Sequence, residues 1–586
     1  MNVRLTWVQP EDLITHELRQ ASEDGRDTTA IRARWQSAGG PPSPPPTGAS
    51  PTPAPPHLRT LAEQLLNDLS QLPTPTTQAE PTPLQAIKSA CPTWPTKTPP
   101  TPVPKGDETT PAHQPTVPGG NTPVSSPRTP AHLPRHPGGD VPVSSHRTPA
   151  HLPRHRGGDV PGRSPQGVER NHRQRTNAVP ERSTPEETPR RGTAPEATAT
   201  APPNTPAPAP APAPPNAPAN SDARPPRPEP AAAPLLTRLH AAWLGRAAGC
   251  LLGKPVEKLP LTAIRQLAAA TGNWPLKTWF TAQGVPRDLL ARHPWNRRSA
   301  PTSLAENING MPEDDDLNYP LLGLLLLQRH TKAFTTTQLA NLWLDELPAG
   351  RTFTAERIAY RNLLLGLTPP QTATHHNPFR EWIGALIRAD IHGWTHPGNP
   401  AAAAEQAHRD ATLTHTANGV YGAMFIAATI AEAAAGTTDV HHCLRTGLTV
   451  VPPESRLAQA VRFGIKAAAK ASRATFDTVV DELHTTYGHH HWVHVLPNAA
   501  LIAAALTHAD GDFAGSICRA VSGGWDTDSN GATTGSIAGL LTGSPEAIPT
   551  HWTAPLRNRL ATSVAGFDGI GFDTLAHLTH TEALRP

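Results

Sequence analysis

Leu235 to Gly253 reads LLTRLHAAWLGRAAGCLLG. Leucine, alanine and tryptophan recur there at three- and four-residue intervals, the period of a helix face rather than the alternation of a strand. No proline interrupts the nineteen positions. The same texture returns in LLGLLLLQRH (321–330), FIAATIAEAAA (425–435) and RLAQAVRFGIKAAAKA (456–471), with Gly or Pro between the segments. In the last, Leu457, Val461 and Ile465 share one face and Arg462, Lys466 and Lys470 another, which reads as a solvated basic stripe. No βαβ succession and no Rossmann or P-loop glycine pattern is found. The expected fold class is all-α.

Upstream of Pro234 the composition changes. Of the 72 prolines, 51 lie in residues 1–240. Proline at that density fixes φ, removes backbone donors and leaves too little apolar surface to offset ordering entropy. Residues 39–233 are therefore expected to be a long disordered Pro-rich arm, and residues 234–586 one helical domain. The tracts PPSPPPTGASPTPAPP (41–56) and TPAPAPAPAPPNAPA (205–219) predict extended polyproline II spacers. Within the arm, residues 123–141 and 142–160 are 19-residue copies differing at two positions. They lack the apolar face a stacking repeat needs. Two short segments escape the proline bias. Residues 1–38 carry Leu13, Leu18, Ile31 and Trp35 behind a helix start at Pro10, and 57–72 carries Leu61, Leu65, Leu66 and Leu69 at helical spacing.

The formal net charge is +3, and the excess of Lys and Arg lies before residue 241. A near-neutral folded part argues against nucleic acid as the main partner. The cysteines Cys91, Cys250, Cys443 and Cys518 form no CxxC spacing, so neither a zinc site nor a disulfide framework is expected. Free thiols and the absence of a basic start followed by an apolar run suit a cytoplasmic protein. The longest apolar stretch, 419–436, contains Glu432 and reads as a buried helix rather than a membrane span.

Two acidic runs carry the candidate chemistry. Glu313, Asp314, Asp315 and Asp316 precede an apolar helix, and Asp526, Asp528 and Ser529 precede a helix of small residues. Repelling carboxylates are tolerated at a helix N-terminus, and more so beside a cation. Oxygen-only ligands suit Mg²⁺, and two facing clusters can hold a pair of ions that activate water. A helix-cap cluster and a tight capped turn account for the same runs without metal.

Five motifs in order resemble the ADP-ribosylglycohydrolase family: GRAAGCLLGKPVE (245–257), PEDDD (312–316), WIGALIRAD (382–390), THTANGVYG (414–422) and GGWDTDSNGA (523–532). The resemblance implies a compact orthogonal multi-helix domain holding two divalent cations, Mg²⁺ or Mn²⁺. It implies metal ligation by Glu313, Asp314 and Asp315 on one side and Asp526, Asp528 and Ser529 on the other. Glu257 and Asp315 become the expected catalytic residues, with Glu257 as general acid or base. Gly384, Arg388, His415 and Gly419 match regions that line the ADP-ribose cleft. The implied activity is hydrolysis of the glycosidic bond between ADP-ribose and a modified side chain or small acceptor by metal-activated water. The implied partner is an ADP-ribosylated protein or small ADP-ribose derivative, without a membrane. The family often has threonine where Glu313, Asp316 and Ser529 stand, an acidic residue where Cys250 stands, and no counterpart of Trp525.

The rival reading is an inactive ADP-ribose-binding module whose Pro-rich arm engages a protein partner. His489, His490, His491 and His494 resemble a metal tract, but in this context they read as a helix start or loop.

Overall fold

The structure is a computed structural model that describes residues 5–44, 52–95, 233–471 and 476–586. The tandem repeat at 123–160 and the tract at 205–219 lie outside the described residues. Among the described residues there is no β-strand, only isolated bridges such as Met311 with Leu560. The chain is all-α, as the helical periodicity predicts.

The opening helix, Leu235–Gly253, packs along the glycine-rich helix Thr527–Thr542. Small residues meet backbone to backbone along this seam. A Cβ on Gly245, Gly249 or Gly253 would collide with the main chain at Gly535, Gly531 or Thr527. The Thr527 hydroxyl donates to the Gly253 carbonyl at 2.8 Å. The seam therefore fixes the first residues after each helix end: Lys254 and Glu257 on one side, Asp526 and Asp528 on the other.

The first acidic run starts helix Asp315–His330, which contains Pro320. Proline has no N–H to give the carbonyl four residues back. Arg246 fills the gap, donating Nε to the Asp316 carbonyl at 2.7 Å. Its Nη1 pairs with Asp390 at 3.0 Å, and all three side chains are buried. Helix Ala417–Ala435 and helix Val495–Ala509 form the buried centre. No helix among the described residues is long and apolar enough to cross a membrane. The basic stripe Arg462, Lys466 and Lys470 is exposed, as read from sequence.

Residues 5–95 were expected to be a short ordered head, then arm. The structure holds Pro10–Glu23, Thr29–Ser37, Pro56–Ser70 and Leu84–Ala90 as helices, with a 3₁₀ turn at Pro75–Gln78. The last two elements correct the expectation of arm after residue 72. The described residues before 96 and those from 233 onward belong to one compact unit. Proline density misleads at 73–95 because these prolines sit where a turn or helix starts, and long-range ion pairs anchor the segment. Arg456 pairs with Glu80 at 2.6 Å and with Glu381 at 3.0 Å. Arg380, itself buried, pairs with Glu17 at 2.8 Å and Asp24 at 2.6 Å.

Candidate metal centre

Asp314 caps helix Asp315–His330, its Oδ1 accepting from Asp316 N–H at 3.0 Å. Asp526 stands at the N-cap of helix Thr527–Thr542 and Asp528 in its first turn. The positive ends of both helix dipoles thus point at carboxylates. Asp526 is presented by a tight turn in which Gly524 (φ 80°) and Trp525 (φ 56°) are both left-handed. The left-handed region costs a side chain roughly 1–2 kcal/mol. Trp525 is held there by His484, whose ring stacks on the indole at 3.9 Å with 1° between planes. His484 also bonds the Gly523 carbonyl at 2.8 Å.

Glu257, Asp526 and Asp528 offer carboxylate oxygens that all lie within 4.8 Å of one another. Burial, then the carboxylates of Asp528 and Glu257, push the Asp526 pKa well above the usual range. Burial and Glu257 push Asp528 up to about 7. Asp315 is raised by its withdrawal from water and by Asp314, Asp528 and Glu257. Buried anions that repel one another this strongly are the donor set a hard divalent cation satisfies. Glu257 is oriented by Asn296, which donates to its Oε2 at 2.7 Å, and by Lys258 at 2.9 Å from Oε1. Asn498 supports the other side: its Oδ1 accepts from Asp526 N–H at 3.1 Å and Asn530 Nδ2 at 2.7 Å.

The expected residues do not all converge. Ser529 is buried, its N–H donating to Asp528 Oδ1 at 3.2 Å. Glu313 is drawn elsewhere. It accepts from Asn318 Nδ2 at 3.1 Å and Ser563 N–H at 3.0 Å, and pairs with Arg351 at 2.7 Å. Asp314 is met by the buried ammonium of Lys254. Burial opposes the charge on Lys254, yet Asp314 and its neighbours override this and raise its pKa.

The expected cleft residues lie in the interior. A guanidinium has five N–H donors. In Arg388 they go to Asp410, to Glu356 at 2.7 Å, to the Gly384 carbonyl at 3.2 Å, to the Asp410 carbonyl at 3.2 Å and to Thr414 at 2.7 Å. None is left for a ligand. His415 is fully buried, its Nδ1 bonded to Thr414 Oγ1 at 2.6 Å. Gly384 makes room for the Glu356 carboxylate and Gly419 for the Arg380 carbonyl. These four positions build the interior around Arg388.

Sequence reasoning passed over Lys254, Asn296, Lys258 and Asn498. Lys254 was visible three residues before Glu257, but only packing reveals its partner. The histidine tract is a loop and a helix start: His494 caps Val495–Ala509, its Nδ1 accepting from Leu496 N–H at 3.2 Å. Its Nε2 faces Glu23 of the N-terminal segment at 3.4 Å. His490 Nδ1 lies at 3.4 Å from the same carboxylate.

A profile of the ADP-ribosylglycohydrolase family matches residues 231–582, more than half of the chain. A solved structure described as an ADP-ribosylglycohydrolase-related protein complex is similar over 60% of this chain and 99% of that one, at 20% identity and a TM-score of 0.37. No curated protein matches the chain. The five ordered motifs, the all-α fold and the family profile over residues 231–582 agree: the chain belongs to the ADP-ribosylglycohydrolase family.

Proposed function

We propose that the chain is a divalent-cation-dependent hydrolase that cleaves the glycosidic bond between ADP-ribose and a side chain or small acceptor. The observation that carries this reading is the pair of buried carboxylates Asp526 and Asp528 grouped with Glu257, with the half-buried Asp315 repelled by the same charges. A fold held together by packing alone gains nothing from such a group. Bound Mg²⁺ or Mn²⁺ supplies charge neutralisation, a more acidic water and an anchor for ribose hydroxyls.

The chain's own residues do the rest. Asp526 and Asp528, at the start of helix Thr527–Thr542, would hold the cation, with Asp315 of the other helix as a further carboxylate. Glu257, steadied by Asn296 and Lys258, is the proton carrier for the attacking water or for the leaving acceptor. Bond cleavage makes the anomeric carbon of the ribose cationic, and the surrounding carboxylates favour that charge. The acceptor is a modified protein side chain or a small derivative, and residues of the Pro-rich arm recruit the protein that carries it.

The test is release of free ADP-ribose, read by mass, from a panel of ADP-ribosylated substrates with Mg²⁺ or Mn²⁺ present. Asp315→Asn and Asp528→Asn should each lower release by at least about 100-fold with unchanged helix content. Binding of ADP-ribose without release from any substrate would instead favour an inactive binding module.

A further inference from the structure

Each carboxylate of the first acidic run except Asp315 has its own cation. Glu313 has Arg351 at 2.7 Å. Asp316 has Arg246 at 3.4 Å, and the Cys250 thiol donates to its other oxygen at 3.7 Å. Asp314 has Lys254. Asp315 makes no ion pair among the described residues.

The Lys254 contact differs from the others in its place. Its ammonium lies against Asp314 Oδ2, while Asp314 Oδ1 accepts from Asp316 N–H at 3.0 Å. Both oxygens of Asp314 therefore already have a donor. Lys254 is 6% exposed and Asp314 9% exposed. The lysine backbone cannot drift, because the preceding Gly253 is wedged against Thr527 and bonded to its hydroxyl at 2.8 Å. The cation thus lies against the first acidic run, on a backbone held at the start of the second. On the far side, Glu257, Asp526 and Asp528 keep oxygens within 4.8 Å of one another. Lys258 pairs with Glu257 there at 2.9 Å, and neither Asp526 nor Asp528 makes an ion pair among the described residues. One side of the centre is closed by a covalently tethered cation, and the other still needs one.

We infer that Lys254 is a built-in counter-cation: its ammonium takes the place a second divalent ion would hold beside Asp314, so the chain loads one divalent ion, on the Glu257–Asp526–Asp528 side. The inference rests on the cation-dependent reading above and narrows it. A tethered ammonium brings one positive charge instead of two and no open coordination position. Water activation is thereby confined to the side that carries Glu257. Lys254 acts here by setting the charge and occupancy of the centre.

The experiment is a count of bound metal. Full-length chain is stripped with a chelator, dialysed against Mn²⁺, and measured by elemental analysis and by electron paramagnetic resonance. The expected result is one Mn²⁺ per chain with the spectrum of an isolated ion. Lys254→Met, of similar length and without charge, should take up two Mn²⁺ and show a spin-coupled pair. Lys254→Arg should stay at one. Two ions in the unaltered chain, with a coupled spectrum, would overturn the inference and leave cation dependence standing. One ion in a folded Lys254→Met would overturn it too. No bound ion in the unaltered chain would bring down the cation-dependent reading itself. If Lys254→Met does not fold, the count and spectrum of the unaltered chain still decide.

Discussion

Arg388 belongs to a motif expected to line a cleft, and in the fold its donors go to groups of the protein itself. All five of its donors are used, and its guanidinium lies over Trp343 at 5.3 Å. Replacing it leaves Glu356 and Asp410 buried without their cation. Removing one partner of such a group costs about 3–5 kcal/mol. Arg388→Ala should therefore lower the melting temperature steeply in a thermal scan. Whatever folded fraction remains should keep its KM for an ADP-ribosyl substrate, and a raised KM with unchanged melting would restore the ligand role. Asp528 is the converse. It is buried too, and burial, then the carboxylates of Glu257 and Asp314, outweigh the opposing Lys254 ammonium and push its carboxyl up to about 7. The sequence made both residues candidates because it lists residue types in order. It contains no statement of which donors and acceptors are already spent.

At the scale of elements, the centre depends on one glycine seam and one strained turn. Gly249 and Gly531 oppose each other so closely that a Cβ on either meets the other's carbonyl. Gly249→Ala should cost about 1–3 kcal/mol by overpacking, visible as a lower midpoint in urea. It should also weaken Mn²⁺ binding by calorimetry, because the seam sets the distance from Glu257 to Asp526 and Asp528. A loss of stability with unchanged Mn²⁺ affinity would show that the two are not coupled. The motif order and the small-residue runs made this seam partly legible. The turn at Trp525 was legible only as an oddity. Its φ of 56° and its stack on His484, 41 residues earlier, are properties of the folded chain.

The whole molecule is larger than the family segment. Residues 5–95 supply Glu17 and Asp24 to Arg380, Glu80 to Arg456, and Glu23 to His490 and His494. The Trp492 carbonyl, in the same histidine loop, accepts from Asn498, which also holds Asp526. Deleting residues 1–95 should strip the buried Arg380 of both carboxylates and lower the melting temperature by well over 5 °C; an unchanged transition would refute the anchoring role. Acid should act through the same region. Burial, and secondarily Arg19, lowers His16 to about 3 from its ordinary 6.5. Burial, then His16 and Arg19, lowers His491 well below that value, against the pull of Glu23. Burial and Arg388 do the same to His415, against Asp410. A histidine that is harder to protonate when folded leaves stability intact above pH 6.5. As pH falls below that, each costs about 1.4 kcal/mol per unit until its folded pKa is reached. The raised carboxyls Asp526 and Asp528 pull the other way, so the histidine contribution is read as a difference: the urea midpoint of His16→Gln should gain on that of the unaltered chain as pH falls from 6.5 to 5. A difference that does not change with pH would mean that this ring is solvated.

The sequence alone determined the fold class, the family and the acidic runs. Helical periodicity, proline exclusion and motif order are local or linear properties, and they survive without coordinates. Its boundary near residue 234 marks where the family segment begins, but it does not mark where the compact unit begins, because Glu17, Asp24 and Glu80 find their partners more than 300 residues away. Only tertiary structure decided that Glu313 turns to Arg351, that Arg388 and His415 are interior, and that Lys254 meets Asp314. In each case the deciding quantity is which charges share a desolvated space, and sequence separation does not encode it.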